Sequence, residues 1–205
     1  MNKFILFFIP IILCLWSCGS QKVVTTKYYV IEFPTDTVLE EYEKIPLEIE
    51  KYCEIIPVDI NPAYSTPQIA NRSSSRAITY YSYHQWAIRP SESFSRLILD
   101  YFNHVPVFSG VSDRFWRVQP DFHLETTIYH LEVVQEQNTF SAHLDLEFRL
   151  REVERGREIL HHRADRYITL YNRDLDLFAA AIGDIFYQEL QQLSEKIAME
   201  IKYTP

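Results

Sequence analysis

Cys18 is the residue of this chain whose type and setting most directly call for chemistry. Leu15-Trp16-Ser17-Cys18-Gly19 has the form of a lipobox, with an aliphatic residue three before the cysteine and a small one just before it. Lys3 supplies a positive start, and Phe4 to Leu15 is an almost purely apolar run. Twelve apolar residues are too few to cross a bilayer as a helix, which takes roughly 20, and are the right length for a cleaved signal peptide. The polar stretch Gly19-Ser20-Gln21-Lys22 favours lipidation over an ordinary secretory signal with a chance cysteine near the cut. Acyl chains on the Cys18 thiol and on the new amino terminus would anchor the protein stably, at roughly 0.8 kcal/mol for each buried CH₂. The expected organisation is a signal peptide over 1–17, a lipidated tether over 18–27 and a single domain over 28–205.

No other cluster reads as an active centre. Seven histidines raise the question of a metal, and His123 beside His143 with a nearby carboxylate would be the best arrangement available. Strand neighbours on a flat face lack the closed geometry that zinc prefers, so no metal site is expected. His161 and His162 point to opposite faces of a strand and cannot ligate together. There is no Gly-x-Ser-x-Gly elbow, no Cys-His pair in a credible context and no phosphate-cradling loop. The expectation is a chain that is not an enzyme, with no catalytic residue and no cofactor beyond the covalent lipid on Cys18.

Removing 1–17 leaves 188 of the 205 residues, enough for one well-packed domain. The formal charge of −8 becomes −9 once Lys3 is lost, so nothing favours nucleic acid or a bare anionic bilayer as a partner. Cys14 leaves with the signal and Cys18 is acylated, which leaves Cys53 alone, without a disulfide and read as a buried, inert thiol.

The elements follow from periodicity. Tyr28-Tyr29-Val30-Ile31 is a first strand, 34–46 an exposed acidic connection, and Leu47 to Ile60 a second strand. Gln68 to Arg72 and Ala77 to Trp86 form a hairpin across Ser73-Ser74-Ser75-Arg76. A helix over about 91–103, capped by Ser91, carries Phe94, Leu97, Ile98, Tyr101 and Phe102 on one stripe. Arg114 to Val118 is a short strand, Phe122 to Val134 pairs with Phe140 to Val153, and Ile159 to Tyr171 follows. Ala142, Leu144, Leu146, Phe148 and Leu150 alternate with His143, Asp145, Glu147 and Arg149, which predicts a sheet wet on one side. A long helix over about 174–201 closes the chain. Together these predict an α+β fold, a two-layer α/β sandwich with a mainly antiparallel sheet.

A more specific pattern lies between residues 56 and 102. Ile56-Pro57-Val58-Asp59-Ile60, Pro62-Ala63-Tyr64 and Pro67-Gln68-Ile69-Ala70-Asn71-Arg72 are followed by His84-Gln85-Trp86-Ala87, Pro90 and a helix with Phe94, Arg96 and Leu97. With the lipobox and the Tyr28 to Ile31 strand, the chain resembles the ABC-type transport auxiliary lipoproteins, the PqiC-like lipoproteins. Ser65-Thr66 and Ile88-Arg89 depart from that family's usual residues. The resemblance implies an accessory component of lipid transport, working with an MCE-domain protein, an ABC permease and an ATPase. Under it, Tyr64, Gln68, Arg72, Trp86 and Pro90 are the candidate partner interface. Gln68 and Arg72 alternate on one strand face that could offer an open edge, and Trp86 is either a core anchor or a partner contact.

Two other readings stay open: an outer-membrane assembly lipoprotein bound to a β-barrel protein, and a stand-alone lipid carrier whose aromatics line a pocket. A lipid ligand and a homo-oligomer are further open partners. The absence of an Asp after Cys18 favours the outer membrane over the inner, facing the periplasm.

Overall fold

Three strands of 13 to 15 residues, successive in the chain, set the frame of this protein. The computed structural model describes residues 24–34, 51–136 and 139–203. Cys18, the signal segment and most of the expected acidic connection over 34–46 lie outside these residues. Among the described residues the strands are β1 (Lys27–Tyr29), β2 (Tyr52–Ile55), β3 (Asp59–Ile60), β4 (Gln68–Ser74), β5 (Ala77–Trp86), β6 (Gly110–Ser112), β7 (Phe122–Glu136), β8 (Thr139–Glu152) and β9 (Glu158–Leu170). The helices are α1 (Pro90–His104) and α2 (Leu175–Tyr203).

One edge of β7 pairs along its whole length with β8, which pairs in turn with β9, all antiparallel. Its other edge takes β2, β3 and β4 end to end, each parallel to it. The sheet then extends through β5 to β1 on one flank and through β2 to β6 on the other. The predicted α+β fold is therefore present. Its long pairings are antiparallel, and five short parallel ones complete the sheet.

Both helices cover one face. Phe94 of α1 meets Phe186 of α2 edge-on at 4.6 Å between ring centres, and Phe186 lies 6.1 Å from Phe148 of β8. Trp86 packs 5.8 Å from Phe178. The apolar set of β8 and the stripes of both helices are fully buried here, which is the area-proportional gain that drives the fold. Cys53 is fully buried too, and burial pushes its thiol up, so it stays protonated.

Four local expectations are corrected. The strand expected over 47–60 breaks at Ile56-Pro57, where proline removes a ladder donor and the inward phase passes from Cys53 and Ile55 to Val58 and Ile60. Ser91 is not the cap of α1. Arg89 holds that position without a side-chain bond, because Pro90 opens the helix with its φ already fixed, and the Ser91 carbonyl accepts from Ser95 Oγ at 2.8 Å. The strand expected at Arg114 to Val118 lies earlier, at β6. Ser112 Oγ accepts from the Arg114 N–H at 3.2 Å and donates to its carbonyl at 2.9 Å, a local turn that ends the ladder.

The sheet face away from the helices, expected to be wet, is in fact largely closed. His143, Asp145 and Glu147 are each at most 4 % exposed. Side chains of neighbouring strands close over them.

Two glycines are required. Gly156 turns β8 into β9 with φ of 60°, a left-handed value that other residues adopt at a cost. Gly183 lets the Glu32 backbone lie against α2, since a Cβ there would sit 1.9 Å from the Glu32 carbonyl oxygen.

Candidate partner interface

The polar face of the sheet is organised around three buried carboxylates. Glu132 on β7 is fully buried yet ionised. Burial alone would raise its pKa. Hydrogen bonds with His143, Arg72 and Tyr64 outweigh that and hold it at about 2. Arg72 Nε donates to Oε1 at 2.6 Å, Tyr64 O–H donates to Oε2 at 2.7 Å, and Arg72 Nη2 donates to the Tyr64 oxygen at 2.8 Å. Tyr64 is placed by the short 3-10 turn Pro62–Tyr64, which Asn61 caps by accepting the Ala63 N–H at 3.0 Å. Burial and the adjacent Glu132 push the Tyr64 phenol up, so it remains a donor.

His143 carries the network along β8. Its ring lies 3.2 Å from Glu132 through Nδ1 and 2.9 Å from Asp165 through Nε2. Tyr167 stacks on it at 4.0 Å between centres and 9° between planes, and His130 stacks at 5.0 Å and 22°. Asp145 then meets His130 Nδ1 at 3.2 Å and Arg163 Nη2 at 3.0 Å. Arg163 lies over the Tyr129 ring at 4.6 Å. The Tyr129 hydroxyl donates to Glu147, which also pairs with Arg149 at 2.6 Å and His161 at 2.5 Å. Burial pushes the Glu147 carboxyl up, but these hydrogen bonds and Arg149 bring it below the usual carboxylate value.

The result is a continuous belt across β4, β7, β8 and β9. Glu132, Asp145 and Glu147 are buried within it, while Tyr167, Arg149, His161 and Arg163 stand outward. Tyr167 is 57 % exposed, and the Arg149, His161 and Arg163 side chains are each about half exposed. Charges fixed in this way form a pre-set surface, because little rotamer freedom is left to lose when a partner binds.

The sequence-derived candidates divide over this geometry. Tyr64 and Arg72 come together on Glu132. Gln68 is half-buried on β4 opposite Gln85 of β5, and β4 is closed on its other side by β7 over Ala70–Arg72. Trp86 lies in the core against Phe178, and Pro90 is buried at the start of α1. Glu132, the hub, was missed, together with its pairing to His143. His123 sits opposite Arg151 instead of approaching His143. Among the described residues no group of three or more His, Cys, Asp or Glu is arranged to hold a metal. A second buried knot lies on the helix side, where Glu189 of α2 accepts from Arg166 at 2.6 Å and meets His162 at 2.8 Å.

A family model described as the ABC-type transport auxiliary lipoprotein component matches residues 46–198. Among solved structures, a Xanthomonas campestris protein, XCC0632, is similar over 86 % of this chain and 95 % of its own, at 14 % identity and a TM-score of 0.63. An uncharacterised protein is similar over 84 % of this chain and 99 % of its own, at 11 % identity and a TM-score of 0.65. CT253 of Chlamydia trachomatis covers 75 % and 98 %, at 9 % identity and a TM-score of 0.51. At these identities the likeness is one of fold. A search of the curated proteins finds no match.

Proposed function

The chain belongs to the ABC-type transport auxiliary lipoprotein family, and from that premise we propose that it is the membrane-anchored, periplasm-facing accessory component of an MCE-type lipid transport system. That family is one of transport auxiliaries and not of enzymes. In this reading Cys18 carries the lipid anchor and the folded domain works through protein contact, with permease and ATPase supplied by other chains. The anchor sits in the outer membrane.

The observation that carries the contact role is the belt built on Glu132, Asp145 and Glu147. Burying three carboxylates on a face that neither helix covers is costly, and an apolar surface would serve stability as well or better. What the arrangement supplies is a fixed pattern of outward cations and an exposed tyrosine, suited to one partner orientation. Tyr64 and Arg72 act in it as positioning residues for Glu132. The stand-alone carrier reading needs an apolar cavity between helices and sheet. Among the described residues that space holds the Phe94–Phe186–Phe148 cluster and the Trp86–Phe178 pair, which favours the contact role.

Affinity purification of the anchored protein from its native membrane, with mass spectrometry of partners and lipids, tests the proposal. An MCE-domain protein with permease and ATPase is the expected set. A β-barrel protein without them would favour the assembly reading and refute this one.

A further inference from the structure

Eleven large apolar residues stand out in solvent among the described residues, and five of them lie together by sequence and pairing on one flank of the sheet. These are Val24, Tyr28 and Val30 on and around β1, and Tyr83 and Ile88 on and after β5, whereas Tyr80 donates its hydroxyl to the Ala63 carbonyl at 2.9 Å. Tyr28 pairs with Gln85, and the Ala87 N–H donates to the Tyr29 carbonyl at 2.7 Å, which carries the pairing to the end of β5 just before Ile88. Tyr28 and Val30 point away from the core into which Tyr29 and Ile31 are buried. The strand β1 is the outermost of this flank, so nothing among the described residues pairs beyond it.

This flank is also where the anchor must arrive. Lys27 lies nine positions after Cys18. Fully extended, that stretch reaches about 30 Å, and less in any relaxed conformation. A bilayer holding acyl chains on Cys18 therefore lies within about one domain diameter of the β1 flank. Exposed tyrosines suit that boundary, because an apolar ring can enter while the hydroxyl stays hydrated. Charge is balanced here: Lys27, Arg76 and Arg89 stand against Glu32, with Asp174 and Asp176 near Tyr29, so contact with the bilayer falls to the apolar side chains and not to headgroup attraction.

We infer that the β1–β5 flank is a membrane-docking surface, resting its exposed tyrosines on the bilayer that holds the anchor and so fixing the orientation of the domain. This rests on the reading of Cys18 as the lipidated residue. Docking leaves the opposite flank of the sheet, where β6 leads into the exposed Trp116, turned away from the bilayer. The anchor thus does more than tether: it sets which face a transport partner meets.

The experiment uses the acylated full-length protein in vesicles of equal parts phosphatidylethanolamine and phosphatidylglycerol. A nitroxide is placed by Tyr83→Cys, and in a control by Arg155→Cys, since Arg155 lies exposed in the β8–β9 turn and Cys53 is too buried to be labelled. Power saturation with oxygen and with a water-soluble nickel chelate gives the depth of each label. The expected result is a several-fold lower collision rate with the chelate at position 83 than at 155. Equal aqueous exposure at both positions, in protein that sediments with the vesicles, overturns the docking surface while leaving the anchor intact. The mass of the Cys18 peptide reads the anchor independently. An unacylated Cys18 refutes the underlying reading and this inference with it.

Discussion

Glu132 shows how single residues decide this face. It is fully buried, and three donors hold it ionised. Its carboxyl has a pKa of about 2 in the fold against 4.5 as the ordinary value. A carboxylate depressed on folding stabilises the protein above its unfolded pKa, and that stability drains away as the pH falls toward the folded value. Acid titration of the native protein should therefore show stability lost between about pH 4.5 and about pH 2, and Glu132→Gln should flatten that part of the profile. An unchanged profile in Glu132→Gln would mean that another group carries the acid sensitivity. Glu132→Ala leaves Arg72 and His143 facing each other without their acid, and should cost about 3 kcal/mol or more in a urea melt. Tyr64→Phe deletes one donor to Glu132 and the acceptor of Arg72 Nη2 but leaves the charge pair in place, and should cost about 1.5–3 kcal/mol. Tyr64 and Arg72 were visible in the sequence as a motif, but Glu132 was not. The irregularity between Ile128 and His130 shifts the phase of β7 by one residue. Counting by twos from His123 therefore puts Glu132 on the wrong face, and no local composition marks such a shift.

At the scale of elements, period-two and helical patterns located the long pieces because burial enforces them. The β7–β8 hairpin, β9 and both helices lie where the apolar spacing put them. The short parallel strands were less legible. β2, β3 and β6 are two to four residues long, and their pairing with β7 or with each other is a matter of topology that periodicity does not encode. The same holds for the packing of α2 against the chain after β1. Gly183 permits the Glu32 carbonyl to approach, and Phe33 then meets Tyr187 at 5.3 Å and Tyr101 at 6.4 Å. Gly183→Ala has no room for its methyl group against backbone, and overpacking of this kind typically costs about 1–3 kcal/mol. Thermal denaturation should show a lower Tm with the helical signal of the folded state preserved. A Tm equal to that of the parent would show that this stretch is not docked on α2.

For the whole molecule, the sheet separates three tasks. The helix face is filled with interlocked aromatics and gives the domain its stability. The opposite face carries the buried acids and outward cations proposed here as the partner surface. The β1–β5 flank is the surface proposed here to rest on the membrane. No described helix is long and apolar enough to cross a bilayer. The attachment proposed here is through a lipid on Cys18 and contact at that flank. The most direct test of the partner surface is photo-crosslinking in the native envelope from a benzophenone amino acid placed at Tyr167, which stacks on His143 with more than half its surface exposed. The account predicts a covalent adduct with a subunit of the transport system, lost when Glu132→Ala releases the belt. Adducts only with a β-barrel protein, or none where the same probe at Tyr83 reacts with lipid, would contradict it.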